Sequence, residues 1–248
     1  MADSPVYDLI AKEYQKSKQL PFRLHIEEHS LFKLLGDLQG KRVLDVACGE
    51  GIYTRKIKRR GAQSVLGVDI SPRMINLAIS QEREPSLACE YLVSDVAAMG
   101  QLGEFDVVVG VYLLNYAKTV DELRQFCQVI AQNLCAGGAF VGINDNPANP
   151  VEKYDSYGKY GFWKTSRSPR TEGAPITYRI RNADGTEFGF DNYYLSPATY
   201  ETVFKEVGFA DFAWLGPWLS DEGRNSFEEG YWDHFLDHPP MIAMLAHK

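Results

Sequence analysis

A glycine-rich bend at residues 45–51 constrains the fold of this chain more than any other stretch. It reads Asp-Val-Ala-Cys-Gly-Glu-Gly, closes the apolar run Val43-Leu44 and precedes a helix-like stretch at residues 52–60. Glycines at such a bend let the backbone approach a ligand closely, and the helix that follows turns its N-terminal amides toward that ligand. The bend therefore predicts a nucleotide-type cofactor site.

A second apolar run ends at Asp69, eighteen residues after Gly51. An acidic side chain that ends the second strand of an open parallel sheet can accept hydrogen bonds from both hydroxyls of a ribose bound over the first turn. In the bend, Asp45 and Glu50 stand where a dinucleotide site usually offers a third glycine, and two carboxylates suit a positively charged ligand. S-adenosylmethionine, with its sulfonium and ammonium groups, is such a ligand.

Three segments in register carry a family resemblance: Asp45-x-x-Cys48-Gly49-x-Gly51, then Gly67-Val68-Asp69-Ile70-Ser71 with Met74, then Ser94-Asp95. In order and spacing they resemble the class I S-adenosylmethionine-dependent methyltransferases, over about residues 40–145. The resemblance implies that S-adenosylmethionine is the cofactor. It also implies a set of cofactor-binding residues: Tyr14, Asp45, Ala47, Gly49, Gly51, Asp69, Ile70, Met74, Asp95, Val96 and Tyr112. For Asp95, a helix cap is the alternative role.

The composition limits the architecture and the partners. With 248 residues, 45% of them hydrophobic, the chain fits one α/β domain with a cap or an insertion. We expect a single domain over residues 1–248, with a helical lid at 1–38 and a substrate-side insertion at 146–195. A net charge of −7 argues against a nucleic-acid partner, because such proteins usually show a basic stripe.

Membrane and metal signals are missing from the sequence. No apolar stretch approaches the ~20 residues of a membrane span, and the N-terminal residues do not begin a signal peptide, so we expect a cytoplasmic protein. The four cysteines show no C-x-x-C pairing, and we therefore predict no metal site. The expected oligomeric state is a monomer or a homodimer.

From residue 41 onward, strand and helix patterns alternate regularly. Strands are predicted at residues 42–47, 64–69, 89–93, 105–111, 139–143, 209–215 and 241–246, and helices at 52–60, after Ser71-Pro72, at 120–134 and after Ser196-Pro197. Gly137-Gly138 is expected to end the helix at 120–134. The pattern predicts an α/β fold: a Rossmann-like, doubly wound, seven-stranded mixed sheet with an N-terminal helical cap and an aromatic-rich insertion after the fifth strand.

The insertion at residues 146–195 contains a predicted hairpin, 176–181 and 186–193, turned by Asp184-Gly185. Its position after the fifth strand places it over the cleft, so its aromatic side chains are candidate substrate walls. Trp163 and Trp218, the latter from a second irregular stretch, are predicted to contact a planar substrate. The alternative is that such rings close the small core of the insertion itself.

Ligands of such sheets bind beyond the carboxyl ends of the strands. We therefore expect Tyr112, Asn115 and Tyr116 after the fourth strand, and Asn144 after the fifth, to face the methyl group and the substrate. Packing of the loop against the next helix is the alternative for Asn115 and Tyr116.

The segment Tyr7-Asp8-x-Ile10-Ala11-x-x-Tyr14 looks like the N-terminal tyrosine segment of many small-molecule methyltransferases. This resemblance makes Tyr7, together with Asn115, a candidate catalytic residue. The alternative is an aromatic side chain packed on the helix seam.

The predicted reaction is an in-line displacement at the sulfonium methyl, driven by positioning and exclusion of water. Within the family the chain looks most similar to toxoflavin-pathway N-methyltransferases, which implies methylation of a ring nitrogen in a small planar heteroaromatic molecule of secondary metabolism. No general base can be assigned from the sequence. The alternatives are an O-methyltransferase of phenols, a macromolecule methyltransferase, a binding module without catalysis, and a dehydrogenase.

Overall fold

The computed structural model describes residues 6–82 and 86–248, with side chains from residue 12 onward. Its strands are β1 (Arg42–Val46), β2 (Ser64–Asp69), β3 (Glu90–Val93), β4 (Phe105–Val111), β5 (Leu134–Asp145), β6 (Phe162–Ser166), β7 (Pro175–Arg181), β8 (Glu187–Tyr193), β9 (Asp211–Leu215) and β10 (Met241–His247). Seven of them form one sheet in the order β3-β2-β1-β4-β5-β10-β9, and β6, β7 and β8 form a second sheet.

The large sheet is mixed, as predicted. Strands β3, β2, β1, β4 and β5 run parallel, whereas β10 is antiparallel to both β5 and β9. The strand order reverses between β1 and β4, and ligands of open α/β sheets bind beyond the carboxyl ends of the strands at such a point. The ends of β1 and β4 therefore mark the expected binding crevice.

The helices are α1 (Val6–Ser17), α2 (Glu28–Leu35), α3 (Ile52–Arg59), α4 (Pro72–Gln81), α5 (Val120–Asn133), α6 (Pro197–Val207), α7 (Asp221–Asn225) and α8 (Asp233–Asp237). A π-helical turn, Arg23–Glu27, leads into α2, and a 3₁₀ turn, Leu114–Tyr116, follows β4. The predicted serine caps are present: Ser71 accepts a bond from the amide of Met74 and Ser196 accepts one from Thr199, each before a proline in the first turn. No helix among the described residues is long and apolar enough to cross a membrane.

Two apolar cores lie on opposite faces of the large sheet. Val43 and Ile143 face a core that includes residues of the N-terminal segment and of the second sheet. Leu44 and Phe140 face the other core, which α5 and α6 cover. The N-terminal cap and the insertion therefore share one face of the sheet.

Several boundaries differ from the predicted ones. The helix predicted at 120–134 ends at Asn133, because Leu134 already pairs with Phe105 and begins β5. Gly137 and Gly138 lie inside β5 and do not end the helix. The predicted hairpin is present as β7 and β8, but β6 was not predicted, and it extends the hairpin to a three-stranded sheet.

Candidate active site

The glycine bend is fixed by the carboxylate of Asp69. The amide of Gly49 donates to Oδ2 of Asp69 at 2.8 Å, and the amide of Ser71 donates to Oδ1 at 2.9 Å. Ala47 and Gly49 have φ angles of 58° and 56°, a region that an alanine enters only under strain. The bend is thus a backbone curve held across the ends of β1 and β2.

Asp45 is the second carboxylate at the bend. It is buried at the end of β1 and accepts a 2.6 Å hydrogen bond from the hydroxyl of Thr54. Burial, assisted by the negative charge of Asp69, raises the pKa of Asp45 to about 7. A cation bound beside Asp45 would reverse that shift, so the site favours a positively charged ligand group.

Glu50 is different, because its charge has a partner within the protein. Its Oε2 lies 3.7 Å from Nη2 of Arg55 and accepts hydrogen bonds from the amides of Gln81 and Gln15. The two carboxylates predicted to meet a cation were Asp45 and Glu50. The structure instead pairs Glu50 with Arg55, whereas Asp45 is held by the hydroxyl of Thr54.

A cleft of two adjoining cavities lies against the bend, and we call it the bend cleft. Both cavities are lined by Tyr14, Ala47, Gly49 and Val111. One of them, with about 320 Å³ of empty space, adds Asp69, Met74, Tyr112 and Tyr116. The other, with about 330 Å³, adds Lys18, Asp45, Cys48, Glu50, Ile52 and Tyr53.

A second space, the aromatic cavity, lies between the N-terminal cap and the inner face of the second sheet. It holds about 430 Å³ of empty space, its mouth included. Its lining comprises Tyr14, Phe22, Arg23, Tyr112, Phe162, Tyr178, Ile180, Phe190, Asn192, Pro240 and Met241. The rings of Tyr178 and Phe190 stack at 5.4 Å with an angle of 3° between their planes. The cavity has the apolar walls and few polar groups of a small-molecule site.

Tyr14 and Tyr112 line both the bend cleft and the aromatic cavity. Tyr14 meets the rings of Phe188 and Phe190 edge-on, at 6.2 and 6.4 Å. Tyr112 has a φ of 61°, an unusual value for a bulky residue, and its amide is held by the carbonyl of Ile143 at 2.7 Å. These two tyrosines form a common wall.

The common wall rests on a buried charge network around Glu27. This carboxylate accepts hydrogen bonds from the hydroxyls of Tyr53 at 2.7 Å and Tyr112 at 2.8 Å. It also pairs with Arg23 at 3.0 Å and lies 3.8 Å from Lys18. Burial alone would raise the pKa of Glu27, but the two cations and the phenols outweigh it and lower that pKa.

A second buried ion pair lies next to the aromatic cavity. The ammonium of Lys164 is 2.8 Å from Oδ1 of Asp145, and the hydroxyl of Tyr178 donates to the same oxygen. Burial lowers the pKa of Lys164, against the raising effect of Asp145. Because the Tyr178 proton is engaged by Asp145, this phenol offers the cavity lone pairs.

The structure brings together eight of the residues predicted from sequence, which line the bend cleft: Tyr14, Asp45, Ala47, Gly49, Asp69, Met74, Tyr112 and Tyr116. Gly51 lies apart, since a Cβ there would meet the Tyr91 ring, and its φ of 75° begins α3. Val96 is buried in the core beneath α5, and Ile70 is 49% exposed at the rim. Asp95 closes a turn at residues 96–98, where its Oδ1 accepts from the amide of Ala97, and the short helix expected there is not formed.

The predicted substrate residues are mostly placed elsewhere. Trp163 points to the outer face of β6, beneath Arg181, because its neighbours Phe162 and Lys164 point inward. Trp218 packs under Lys33 near α2. Neither ring lines the aromatic cavity.

Two predicted asparagines are buried beside the site. Asn144 donates to Tyr200 of α6 at 3.1 Å, on the side of the sheet away from the aromatic cavity. Asn115 is 1% exposed, with neither polar side-chain atom hydrogen-bonded, next to Tyr116 of the cleft. Tyr7 lies on α1, but its side chain is outside the described part of the chain.

Several residues of the site were missed in the sequence. The missed lining residues are Lys18, Tyr53, Phe162, Tyr178, Phe190 and Asn192, and Glu27 was missed as their buried support. For the inner face of the second sheet a signal existed, since Tyr178, Ile180, Phe188 and Phe190 alternate with polar residues at the two-residue period of a strand. The side chains that bond to Glu27 lie up to 85 positions away in the sequence, so no local sequence pattern indicates its role.

Residues 43–138 match the model of the methyltransferase domain family. The residues in this range thus form a methyltransferase domain, as the resemblance to the class I S-adenosylmethionine-dependent methyltransferases predicts. The match begins in β1, includes the bend and Asp69, and ends inside β5. The matched range thus supplies most of the lining of the bend cleft, to which the N-terminal segment adds Tyr14 and Lys18. The cap and the insertion that wall the aromatic cavity lie outside the matched range.

Curated relatives agree with this assignment over part of their length. The ubiquinone biosynthesis O-methyltransferase of Acinetobacter baylyi is 33% identical over 133 residues, which are 51% of this chain and 52% of that relative. The chain thus spans about half the length of such relatives. An uncharacterized protein of Haemophilus influenzae is 23% identical over 95% of this chain and 92% of its own length.

Solved structures show the same fold over nearly the whole chain. An S-adenosylmethionine-dependent methyltransferase from Mesorhizobium loti superposes with a TM-score of 0.64 at 18% identity, covering 94% of this chain and 100% of that one. The DhpI-SAM-HEP complex gives a TM-score of 0.64 at 18% identity, covering 98% and 94%. The fold outside the methyltransferase domain match is therefore shared with these neighbours.

Proposed function

We propose that the protein transfers the methyl group of S-adenosylmethionine to a small planar molecule held in the aromatic cavity. The observation that carries this proposal is the common wall: Tyr14 and Tyr112 line both spaces. Ligands in the two spaces would therefore meet at these rings, which is the proximity that a direct transfer requires.

The bend cleft suits the charges and shape of S-adenosylmethionine. Asp69 would accept from the ribose hydroxyls, and Met74 would contact the adenine. Asp45 would face the ammonium group of the methionine part, and Lys18 its carboxylate. The place where a Cβ on Gly49 would point is empty within 4 Å, so the cofactor can approach the backbone there. When bound, this cofactor supplies an activated methyl group on a sulfonium.

The lining of the aromatic cavity favours a nucleophile that needs no deprotonation. Its described residues include no carboxylate and no imidazole. The phenols of Tyr112 and Tyr178 already donate to Glu27 and Asp145. Burial and Glu27 raise the pKa of Tyr112 well above its usual value, so it stays protonated. A ring nitrogen with a lone pair fits these conditions, as in the toxoflavin-type resemblance, because no base is required.

O-methylation of a phenol is the second candidate. It is supported by the curated relatives that are named ubiquinone biosynthesis O-methyltransferases. A phenolic acceptor must lose its proton, so its methylation rate would rise with pH through the phenol pKa. Methylation of a ring nitrogen whose own pKa lies below 6 would be flat between about pH 7 and 9.

Calorimetry with S-adenosylmethionine, S-adenosylhomocysteine and NADH tests which cofactor binds. A turnover assay tests the reaction: it measures the S-adenosylhomocysteine formed when the protein is given S-adenosylmethionine and either quinoline-type or catechol-type acceptors. We expect binding of the first two ligands only, with turnover of a heterocycle. Binding of neither sulfur compound would reject the cofactor assignment. Binding without turnover on either acceptor panel would favour a module that binds the cofactor without catalysis.

A further inference from the structure

We propose that the acceptor ring carries, besides the nitrogen that takes the methyl group, a cyclic amide whose carbonyl is recognised by Arg23 and whose N–H is recognised by Asn192. The inference rests on the proposed function, since it names the substrate class of the same site. It depends on two residues that line the aromatic cavity, each of which has a buried polar atom without a hydrogen-bond partner within the protein.

Arg23 supplies the first of these atoms. Its side chain is 4% exposed, and Nη1 donates to Glu27 at 3.0 Å, but Nε has no hydrogen-bond partner. A buried donor is nearly always paired in a folded protein, so an unpaired one in a cavity wall points to a ligand acceptor. The pairing with Glu27 fixes the guanidinium, and a ring carbonyl in the cavity would complete its hydrogen bonds.

Asn192 supplies the second atom. It lies on β8 opposite Ile176, is 1% exposed, and its Oδ1 has no donor. Because this oxygen accepts and Arg23 Nε donates, the matching ligand needs both an acceptor and a donor. A carboxylate would satisfy Arg23 but would turn lone pairs toward Asn192 Oδ1. A cyclic amide carries both groups on one flat ring.

The walls select the shape of the ligand. Tyr178 and Phe190 stack with nearly parallel planes, and Phe162 lies 6.2 Å from Tyr178 at an angle of 22°. A flat ring can extend such a stack, whereas a saturated ring would lose the face-to-face contact. The cavity therefore combines stacking surfaces with one donor and one acceptor.

The test measures equilibrium binding of four probes to the intact protein saturated with S-adenosylhomocysteine. The probes are 2-quinolinone, N-methyl-2-quinolinone, which lacks the N–H, quinoline, which lacks both groups, and 2-naphthoate, which is an anion without a donor. We expect 2-quinolinone to bind at least about tenfold more tightly than each of the others, because only it pairs both buried atoms. Equal or tighter binding of 2-naphthoate or of the N-methyl compound would overturn the proposal.

Substitutions test whether Arg23 and Asn192 cause the preference for 2-quinolinone. Asn192→Leu, which keeps the side-chain size but removes the acceptor, should abolish the difference between 2-quinolinone and its N-methyl derivative. Asn182→Leu is the matched control, since Asn182 is buried in the same sheet region with an unpaired Oδ1 but does not line the cavity. Arg23→Lys should weaken both quinolinones equally and spare quinoline.

S-adenosylhomocysteine binding separates this proposal from the proposed function. Neither Asn192 nor Asn182 lines the bend cleft, so both variants should bind this compound with wild-type affinity. A wild-type protein that binds S-adenosylhomocysteine but shows no preference for 2-quinolinone would contradict the substrate class alone. A wild-type protein that does not bind the cofactor product would contradict the function itself. If Asn192→Leu does not fold, the probe series on the wild-type protein decides.

Discussion

The hydroxyl of Tyr112 donates a 2.8 Å hydrogen bond to Oε2 of Glu27, and this bond connects the end of β4 to the N-terminal cap. Tyr53 of α3 donates to the other oxygen of the same carboxylate at 2.7 Å. A side chain from the cap is thereby shared by the two elements that flank the bend cleft. Changes at Glu27 should therefore affect both the stability of the fold and the geometry of the site.

Glu27→Gln should lower the free energy of unfolding by about 3–5 kcal/mol, because it leaves Arg23 buried without its counter-charge. Denaturant unfolding at pH 7 measures the loss. The matched control is the neighbouring Glu28→Gln: Glu28 pairs with Lys56 at a partly exposed position, so its loss should stay within about 1 kcal/mol. Equal effects of the two variants would show that the buried network contributes no more than a surface pair.

Asp45→Asn should change the pH dependence of cofactor-product binding. With a folded pKa of about 7, Asp45 is largely neutral at pH 6 and charged at pH 8, so S-adenosylhomocysteine should bind up to about tenfold more tightly at pH 8. The variant should bind weakly and show a smaller pH dependence. Calorimetry at the two pH values is the measurement, and an identical pH dependence of both proteins would contradict the role of Asp45.

The raised pKa of Asp45 also predicts how the stability of the unliganded protein varies with pH. The pKa of Asp45 rises from 3.8 to about 7 on folding, so the folded state binds a proton that the unfolded state has lost between these values. The contribution of Asp45 to the free energy of unfolding therefore falls as the pH rises from about 4 to 7, and it is constant above about pH 7. Asp45→Asn removes this decrease, so the variant should gain stability relative to wild type at pH 8.

Asp69→Ala should weaken S-adenosylhomocysteine binding by about 1–3 kcal/mol, because the ribose hydroxyls and the Gly49 amide lose their acceptor. Asp106→Ala provides the control: Asp106 also accepts a backbone bond, from Arg42 at 2.7 Å, but at the opposite end of the sheet. Calorimetry should find wild-type affinity for the control. Unchanged affinity in Asp69→Ala would reject its assignment to the ribose.

Gly49→Val should abolish binding of S-adenosylhomocysteine, and backbone strain alone should not account for this loss. Gly49 and Gly185 both have a positive φ, 56° and 82°, and in both cases a Cβ would meet nothing within 4 Å. Gly185 lies in the exposed turn between β7 and β8, so Gly185→Val carries comparable strain without entering the cleft. Both variants should lose stability, and only Gly49→Val should lose binding of S-adenosylhomocysteine.

Lys164→Met should destabilise the fold by about 3–5 kcal/mol, because Asp145 is then buried without a cation. The double variant Lys164→Met with Asp145→Asn should recover part of this loss, since neither charge remains. Thermal unfolding of the two single variants and the double variant gives the coupling free energy. Additive effects would show that the two side chains act independently despite their 2.8 Å contact.

The methyltransferase part of the fold could be predicted from the sequence because its signals are local. The near-continuous apolar run at 105–111 matches β4 in both bounds, and the Ser196-Pro197 cap marks the start of α6. The bend and Asp69 are close in sequence to the strands that position them.

The second sheet and the substrate side were harder to predict. β6 carries Lys164 on its buried face, where the alternation rule expects an apolar residue, so the strand was not recognised. The partner that makes this lysine tolerable, Asp145, lies on another sheet. Trp163 was chosen for its aromatic character, but the strand period turns it outward, and only knowledge of β6 could have shown this.

The division of the molecule at β5 has an evolutionary consequence. The parallel strands contribute the carboxylates and the bend, whereas half of the aromatic rings that line the aromatic cavity come from the separate second sheet, within residues 162–190. Under the proposed function, substitutions on the inward side of that small sheet would alter which compound is accepted while the pocket of the methyl donor stays intact. A lineage of such proteins could thus diversify its chemistry by exchanging one short segment.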